Sequence, residues 1–335
     1  LMLSRIRRML AGAETPTGNP PGPLVSIVVI VYDMPAQAAR TLESLSCGYQ
    51  VGVDDADYEV IVVENGSTNN LPGRVIEALP GNFSYFLRED AEPTPAHAIN
   101  FGAARARGRT ICVMIDGARM VTPGVVRHIL LGHRLFDTAV VSVPGYHLGR
   151  ELQQEAVNSG YGLDEERALL RSIDWPADGY RLFDIACLSG SCAAGFFLPN
   201  SESNCISMPR GIWDQLGGYD TRFDLRGGGF INLDFYKRAC ELPGVKHVVA
   251  LGEGTFHQFH GGVTTGGQAA ELREVYLEAS RQQYRTLRGA DFSPPDMRPT
   301  YLGELPVQVQ RFIHYSSGNL VQKRAESGGG ECRQC

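Results

Sequence analysis

The sequence lacks the features that mark several large classes of protein. No stretch approaches the roughly 20 consecutive apolar residues of a membrane-spanning helix, and no secretory signal or internal repeat is visible. The chain has no basic excess, since 31 Lys and Arg stand against 37 Asp and Glu for a net charge of -6. Nucleic-acid-binding domains normally carry a basic face, so we exclude that class. We expect a soluble, cytoplasmic protein with reduced cysteines.

Both ends of the chain differ in composition from the rest. Residues 1–10 alternate apolar and basic side chains, which is typical of an amphipathic helix at the inner face of a membrane, or else of a frayed terminus. Residues 11–23 are rich in Gly, Pro and Thr and indicate a linker. Cys332 and Cys335 have the spacing of a zinc or redox pair but no second ligand pair, so we expect a flexible tail there.

Short β-branched runs alternate with helical periodicity through the first half of the chain. The predicted strands are residues 24–31, 58–63, 83–87, 110–115 and 138–143. The predicted helices between them are residues 37–45, 71–79, 96–107 and 121–135. This alternation predicts one α/β domain with a doubly wound, mostly parallel sheet and helices on both faces.

The second half of the chain is less regular. Residues 146–199 contain two polar, partly helical stretches, which we interpret as an insertion over the sheet. Residues 271–287 predict an amphipathic helix whose face of Leu272, Val275, Tyr276 and Ala279 either forms a homo-oligomer or packs on its own domain. Beyond Pro294 the pattern predicts irregular chain.

Polar side chains follow three of the predicted strands. Asp33, Glu64 and Asp116 each stand where an apolar run stops. Open α/β sheets bind ligands at the carboxyl ends of their strands, so we expect these carboxylates to share a ligand site. The first strand is not followed by Gly-x-Gly-x-x-Gly, which excludes a dinucleotide-dependent oxidoreductase.

Four separated segments carry a resemblance to a known family. They are VVIVYD at 28–33, VVENGST at 62–68, AINFG through IDGA at 98–118, and LGGYD through GGGFINLD at 216–234. In this order they resemble family 2 glycosyltransferases with the GT-A fold. The resemblance implies an inverting enzyme that moves a sugar from a nucleoside-diphosphate sugar, UDP-linked above all, to an acceptor hydroxyl of a glycan, a lipid-linked glycan or a small molecule. Polysaccharide or glycoconjugate synthesis is the implied process.

The resemblance also implies a division of the chain. The expected parts are an arm and linker at 1–23, a GT-A domain at 24–265 with its donor half at 24–145 and its acceptor half at 146–265, a C-terminal helical extension at 266–320, and a tail at 321–335.

The donor contacts that the resemblance implies lie at the strand ends. They are Val31, Tyr32, Asp33, Glu64, Asn65, Asn100, Asp116, Gly117, Ala118 and Arg119. Glu64 could accept a hydrogen bond from the N–H of uracil, or it could be solvated in a turn made by Asn65 and Gly66. Asn100 either packs inside a helix or steadies the neighbouring loop.

Metal dependence stays open at the sequence level. Asp116 corresponds to the start of the family's Asp-x-Asp motif, but Ala118 replaces the second Asp and removes a ligand for Mn²⁺ or Mg²⁺. His257 and His260 could complete a site with Asp116, because manganese accepts imidazole, or they could simply be two histidines of a polar loop. Arg119 could instead neutralise phosphate directly.

The general base is also displaced from the family pattern. The family often places this base in a Glu-Asp pair that lies two residues before a further Asp. Aligning Asp234 with that further Asp puts Asn232 in the pair, and Asn cannot take a proton. The candidates are therefore Asp234, Glu202 and Asp224, although Asp234 could merely pair with Arg238. The substitutions at 118 and 232 motivate an alternative function, a nucleotide-sugar-binding scaffold or regulatory protein.

Two further segments are assigned to the acceptor side. Glu202 and Asn204 are candidate acceptor contacts, whereas Trp213 is expected in the core. Gly227 to Gly229 form either a loop that closes on the substrates or a simple tight turn.

Overall fold

The computed structural model of the protein describes residues 22–260 and 270–327. The predictions for residues 1–10, for the linker as far as residue 21 and for Cys332 and Cys335 lie outside these residues. The strands are β1 (Val25–Val31), β2 (Tyr58–Asn65), β3 (Phe83–Arg88), β4 (Thr110–Met114), β5 (Arg119–Val121), β6 (Ala139–Ser142), β7 (Gly145–Leu148), β8 (Ala186–Leu188), β9 (Ile206–Pro209), β10 (Lys246–Ala250), β11 (Thr255–His257) and β12 (Thr300–Leu302). The helices are α1 (Pro35–Ser44), α2 (Gly73–Glu77), α3 (Ala96–Arg105), α4 (Val125–Leu135), α5 (Gln153–Ala156), α6 (Leu163–Ser172), α7 (Arg210–Leu216), α8 (Ile231–Glu241), α9 (Ala270–Arg288) and α10 (Gln310–Ser327).

An eight-stranded sheet forms the centre of the fold, in the order β12-β10-β6-β9-β4-β1-β2-β3. Its strands pair in parallel except β9, which runs antiparallel between β4 and β6. Every residue of β1 is buried, as expected of a central strand covered on both faces. The predicted doubly wound, mostly parallel sheet is confirmed.

Helices cover both faces of this sheet, as predicted. On one face, Leu42 of α1 and Ile129 of α4 pack into one hydrophobic cluster. On the other face, Ile99 of α3, Trp213 of α7 and Phe235 of α8 form a second cluster. Trp213 is therefore a core residue, as predicted. The helices cover the two faces of the sheet, and the carboxyl ends of its strands are where an open α/β sheet binds ligands.

A second sheet, in the order β5-β11-β7-β8, was not predicted. Its strands have only three or four residues, which is too short for a periodicity to be recognised. Met120, Tyr146 and Phe256 anchor it in a third hydrophobic cluster. The residues interpreted as an insertion supply β7 and β8, so this segment is partly a sheet rather than a loose cover.

The sequence predictions were wrong in two places along the chain. The fourth predicted helix starts at Val125 instead of residue 121, because residues 119–121 form β5 and Thr122 bonds Glu253. Beyond Pro294 the chain adds β12 to the edge of the main sheet and then forms α10, which extends to Ser327 into the predicted tail. The described part of the chain contains no helix with the length and apolar character needed to cross a membrane.

The buried His247 and the half-buried His133 predict a dependence of stability on pH. Burial lowers the pKa of both His133 and His247 from 6.5 to about 4. As the pH falls, the unfolded chain protonates these histidines near pH 6.5, whereas the folded protein does so only near pH 4. Their contribution to stability is therefore fully present above pH 6.5 and is lost as the pH falls from there through the folded pKa. Between about pH 7 and pH 5, the free energy of unfolding should fall by up to about 2 kcal/mol for each histidine.

Urea unfolding of His133→Gln at both pH values tests this dependence. The variant keeps a partner for Ser207 Oγ, which lies 2.9 Å from His133 Nε2, and should lose one histidine's share of the pH effect. The exposed His314→Gln on α10 serves as the control and should behave as the unmodified protein. An unchanged pH effect in His133→Gln would contradict the assignment.

Candidate active site

A cavity of about 880 Å³ opens at the carboxyl ends of β1, β2 and β4. This is the edge at which an open α/β sheet binds ligands. The predicted site residues that line it are Tyr32, Asp33, Asn65, Asp116, Arg119, Glu202, Asn204, His257 and His260. Strand topology thus brings residues from both halves of the chain to one space.

Tyr32 and Asp33 form one end of the cavity. The ring of Tyr32 is 42% exposed and offers a flat apolar surface. Asp33 has a left-handed backbone with φ of 51°, and its Oδ1 accepts hydrogen bonds from Thr68 N at 2.7 Å and Asn69 N at 2.9 Å. Partial burial alone would raise the pKa of Asp33, but these hydrogen bonds outweigh it and lower the pKa. Asp33 is therefore a charged group whose Oδ1 closes the turn after β2.

Glu64 does not reach the cavity. Its side chain is 0% exposed, and its Oε2 accepts hydrogen bonds from Leu71 N at 3.0 Å and from Tyr85 Oη at 3.4 Å. Its Oε1 accepts a hydrogen bond from Ser67 Oγ. The predicted contact of Glu64 with a nucleobase is therefore corrected, because its carboxylate closes the turn that follows β2. The alternative interpretation, a solvated carboxylate, is wrong as well.

Three other predicted donor contacts point into the protein. Val31 and Ala118 are core residues. Gly117 donates its N–H to Ile30 O at 2.7 Å, and a Cβ at this position would lie 2.7 Å from the same oxygen. Position 117 therefore requires glycine because of backbone approach. None of the three residues lines the cavity, so their predicted ligand contacts are corrected.

The two asparagines of the prediction have different surroundings. Asn100 exchanges two hydrogen bonds with the backbone of Tyr219, at 2.8 and 3.0 Å, and does not line the cavity. Of its two interpretations, the steadying of a neighbouring loop is the one that the contacts favour. Asn65 lines the cavity and accepts a hydrogen bond from Arg88 Nη1 at 3.2 Å.

Asp116, His257 and His260 converge on one point of the cavity wall. One ligand atom from each lies within 4.8 Å of the others, with His257 Nε2 3.1 Å from Asp116 Oδ2 and 3.1 Å from His260 Nε2. Burial lowers the pKa of His257 to about 4, so this imidazole is neutral near pH 7. Burial alone would raise the pKa of Asp116, but the two imidazoles outweigh it and hold that pKa well below its usual range.

This cluster fits a divalent cation in spite of Ala118. Ala118 packs in the core and supplies no ligand, and the end of β11 and the residues after it supply two imidazoles instead. An ionised carboxylate at Asp116 and a neutral imidazole at His257 are the protonation states that metal binding requires of these two ligands. Two nitrogens and one oxygen suit Mn²⁺ better than Mg²⁺, which prefers oxygen ligands.

Arg119 lies beside this cluster with unused hydrogen-bond donors. Its side chain is 8% exposed, and its Nε is 3.6 Å from Asp116 Oδ2. The Nε and Nη1 atoms are buried and have no hydrogen-bond partner among the described residues. Because a buried guanidinium without acceptors is unfavourable, the position suits an anionic ligand in the cavity.

Glu202 is the predicted catalytic carboxylate that lines the cavity. Its Oε2 accepts a hydrogen bond from Asn232 Nδ2 at 2.8 Å. Asn232 also donates to Ser203 O at 3.2 Å and accepts from Tyr219 Oη at 3.1 Å, so the orientation of its amide is fixed. Asn232, which cannot serve as a base, therefore positions Glu202, which can.

The other two candidate bases lie outside the cavity. Asp234 is 0% exposed and pairs through both oxygens with Arg238 at 2.8 Å and Arg288 at 2.5 Å. Asp224 is exposed and accepts a hydrogen bond from Gln283 Nε2 at 2.6 Å. The prediction that Asp234 or Asp224 takes the acceptor proton is corrected, and for Asp234 the ion-pair interpretation holds.

The glycine segment, residues 227–229, and helix α9 form a further wall of the cavity. Gly227 N donates to Pro93 O at 2.9 Å, and Tyr276 Oη accepts from Gly229 N at 3.0 Å while donating to Arg226 O at 2.7 Å. The Tyr276 face of α9 thus packs on its own domain. Self-association through the exposed Leu272 and Val275 stays a prediction, as does closure of the glycine segment.

Sequence analysis missed three basic side chains of the cavity. His147, Arg226 and Arg273 line it, and the buried Arg273 Nε has no hydrogen-bond partner in the part of the chain that the structure describes. None of the three belongs to a recognisable motif. His147 reaches the site only because β7 pairs with β11 in a register that places it opposite His257, and that register cannot be read from so short a strand.

The class of the protein, a glycosyltransferase, follows from a match to a sequence profile. The sequence profile described as Glycosyl transferase family 2 matches residues 26–174 of the 335-residue chain. The resemblance predicted from the four sequence segments is thereby confirmed. A comparison with curated protein sequences finds no match.

Three solved structures are similar to this chain, and the first of them, with a TM-score above 0.5, shares its fold. The mannosyltransferase PcManGT from Pyrobaculum calidifontis, in complex with GDP-Man and Mn²⁺, is 16% identical with a TM-score of 0.51, and the match covers 98% of this chain and 83% of that one. TarS 1-349 from S. aureus is 10% identical over 92% of this chain and 75% of that one, with a TM-score of 0.48. A complex of TarS 1-349 with UDP-GlcNAc is 11% identical over 91% and 74%, with a TM-score of 0.48.

Proposed function

We propose that the protein transfers a sugar from a UDP-sugar to an acceptor hydroxyl with inversion at the anomeric carbon, in polysaccharide or glycoconjugate synthesis. The observation that carries this proposal is the placement of the Glu202 carboxylate in the same cavity as the cluster of Asp116, His257 and His260. The Glu202 carboxylate can take a proton, and the cluster can hold a charged donor through a cation. A scaffold without activity has no use for the carboxylate that Asn232 positions.

The nucleoside would lie at the end of the cavity formed by Tyr32 and Asp33. An exposed aromatic ring provides a stacking surface for a base. The two backbone hydrogen bonds to Asp33 both end on Oδ1, so Oδ2 can accept the N–H of uracil. Guanine also offers an N–H, which is why the donor nucleotide has to be decided by titration.

The diphosphate would lie at the metal cluster and Arg119. A divalent cation bound there supplies positive charge to the departing diphosphate. Arg119 contributes a fixed guanidinium with two unused buried donors. Such preorganised donors stabilise charge that develops in the transition state without any reorganisation.

Glu202 would act as the general base. The acceptor oxygen forms a bond to the anomeric carbon, the bond from that carbon to the diphosphate oxygen breaks, and the acceptor proton passes to Glu202. A single displacement of this kind inverts the configuration. The carboxylate needs a fixed orientation for this step, which the hydrogen bond from Asn232 provides.

Calorimetric titration with UDP, GDP and dTDP, each with Mn²⁺ and with chelator, tests the donor assignment. We expect UDP to bind most tightly and Mn²⁺ to strengthen its binding. Incubation with UDP-sugars followed by NMR of the released or transferred sugar then reports the configuration. Failure of all three nucleotides to bind would refute the proposed function, and a retained configuration would refute inversion.

Removal of a ligand of the metal cluster should abolish tight binding of Mn²⁺. Loss of a residue that merely supports a ligand typically costs about 10- to 100-fold in metal affinity, so His260→Ala should cost at least about 100-fold. Calorimetry with Mn²⁺ alone provides the measurement, and His314→Ala on the exposed side of α10 is the control. Equal Mn²⁺ affinity in His260→Ala and the control would show that the cluster does not bind the cation.

A further inference from the structure

Gln153 lies between two histidines of the cavity wall and hydrogen-bonds to both. Its Oε1 is 2.5 Å from His257 Nδ1, and its backbone N–H donates to His147 Nδ1 at 3.1 Å. Gln153 is fully buried and begins α5, where a backbone N–H has no partner inside the helix. Both contacts constrain where the imidazole protons can be.

The contact with His257 fixes the proton on Nδ1. Gln153 Nε2 faces two carbonyl oxygens, Leu148 O at 3.3 Å and His257 O at 3.0 Å. Carbonyl oxygens only accept, so the amide nitrogen must face them and the amide oxygen must face the ring. An amide oxygen also only accepts, and His257 Nδ1 therefore carries the proton. With that proton on Nδ1, Nε2 of the neutral ring has the lone pair that a cation held with Asp116 and His260 would need.

The contact with His147 fixes the opposite arrangement. A backbone N–H can only donate, so His147 Nδ1 must offer a lone pair and the proton must be on Nε2. Strand register places His147 opposite His257, and His257 opposite Arg119, in one row across the second sheet. All three line the cavity, so the row presents to it an N–H, a lone pair and a guanidinium.

We propose that Gln153 holds the two histidines in opposite tautomers, so that His257 binds the cation and His147 donates a hydrogen bond to a phosphate oxygen of the donor. The contact of His147 with a phosphate oxygen rests on the proposed function, whereas the two tautomers rest on the hydrogen bonds alone. His147 and Arg119 together form a pair of donors for the anion, one neutral and one charged. Gln153 is a positioning residue that touches neither the cation nor the donor.

Nitrogen-15 NMR of histidine-labelled, metal-free protein tests the tautomers directly. We expect the ring proton on Nδ1 of His257 and on Nε2 of His147. In Gln153→Ala, His257 should lose its single tautomer while His147 keeps its own, because the backbone N–H remains. Gln154→Ala, the adjacent glutamine, hydrogen-bonds to neither ring and should change neither spectrum. His257 with its proton on Nε2 in the unmodified protein would overturn the proposal.

Calorimetry separates the roles of the two rings. With Mn²⁺ alone, Gln153→Ala should bind about 10- to 100-fold more weakly, whereas Gln154→Ala and His147→Phe should bind as the unmodified protein does. With UDP in chelator, His147→Phe should bind at least about 10-fold more weakly, since a hydrogen bond to a charged group is lost. Weaker Mn²⁺ binding in His147→Phe would make it a metal ligand and overturn its role as a donor.

The two experiments distinguish a failure of this inference from a failure of the proposed function. If no nucleotide binds the unmodified protein while the NMR tautomers are as expected, the proposed function fails and the role of Gln153 stands. If nucleotides bind but His147→Phe leaves UDP affinity unchanged, the function stands and the contact of His147 with phosphate fails.

Discussion

Replacement of Glu202 by Gln should lower kcat by about 100- to 10,000-fold, the range that a positioned general base contributes. Glutamine keeps the size of the side chain and an oxygen that can accept the hydrogen bond from Asn232, but it cannot take the acceptor proton. UDP affinity should be unchanged, because the step affected is chemical. Initial rates with the best donor of the titration series, together with UDP calorimetry, provide the two measurements.

Asp224→Asn is the matched control for this experiment. Asp224 also followed from the sequence as a candidate base, but its exposed carboxylate bonds Gln283 outside the cavity. Its kcat should equal that of the unmodified enzyme. A large loss in Asp224→Asn with none in Glu202→Gln would reverse the assignment of the base.

Asp234→Asn should instead lower the stability of the protein, by about 3–5 kcal/mol in the free energy of unfolding. The side chain is 0% exposed, and Arg238 and Arg288 both donate to it. The amide offers one acceptor oxygen in place of two and no charge, so two guanidinium groups lose their counterion. Equilibrium unfolding in urea measures the change.

Asp291→Asn is the control for the buried ion pair. Asp291 also pairs with an arginine of α9, but its side chain is 76% exposed and the partner Arg285 is solvated. Exposed pairs contribute about 0–1 kcal/mol, so this variant should be close to the unmodified protein. Similar losses in both variants would show that burial of Asp234 carries no special weight.

The parallel sheet could be predicted because its central strands are buried on both faces. A run such as VSIVVIV in β1 is apolar at every position, and the polar residue that follows marks the strand end without knowledge of the partners. Asp33 and Asp116 were placed in the cavity correctly by this argument. Glu64 was not, because the same position also suits a carboxylate that closes its turn over Leu71.

The remaining features depend on contacts between distant parts of the chain. Glu202 and Asn232 are separated by 30 positions, and no spacing rule indicates that one positions the other. The burial of Asp234 follows from Arg288, which lies 54 positions away on α9. The row of Arg119, His257 and His147 exists only through the register of three short strands. Such placement is decided by packing rather than by local pattern.

The substitution at Ala118 changes the charge balance of the cavity as well as the number of ligands. Asp116 is the sole carboxylate of a cluster whose other members are imidazoles. Neutral ligands would leave much of a cation's charge uncompensated until the negative diphosphate arrives. Cation and nucleotide should therefore strengthen each other's binding by the same factor, as linkage requires. A core alanine would in this way couple the arrival of the donor to the loading of the metal.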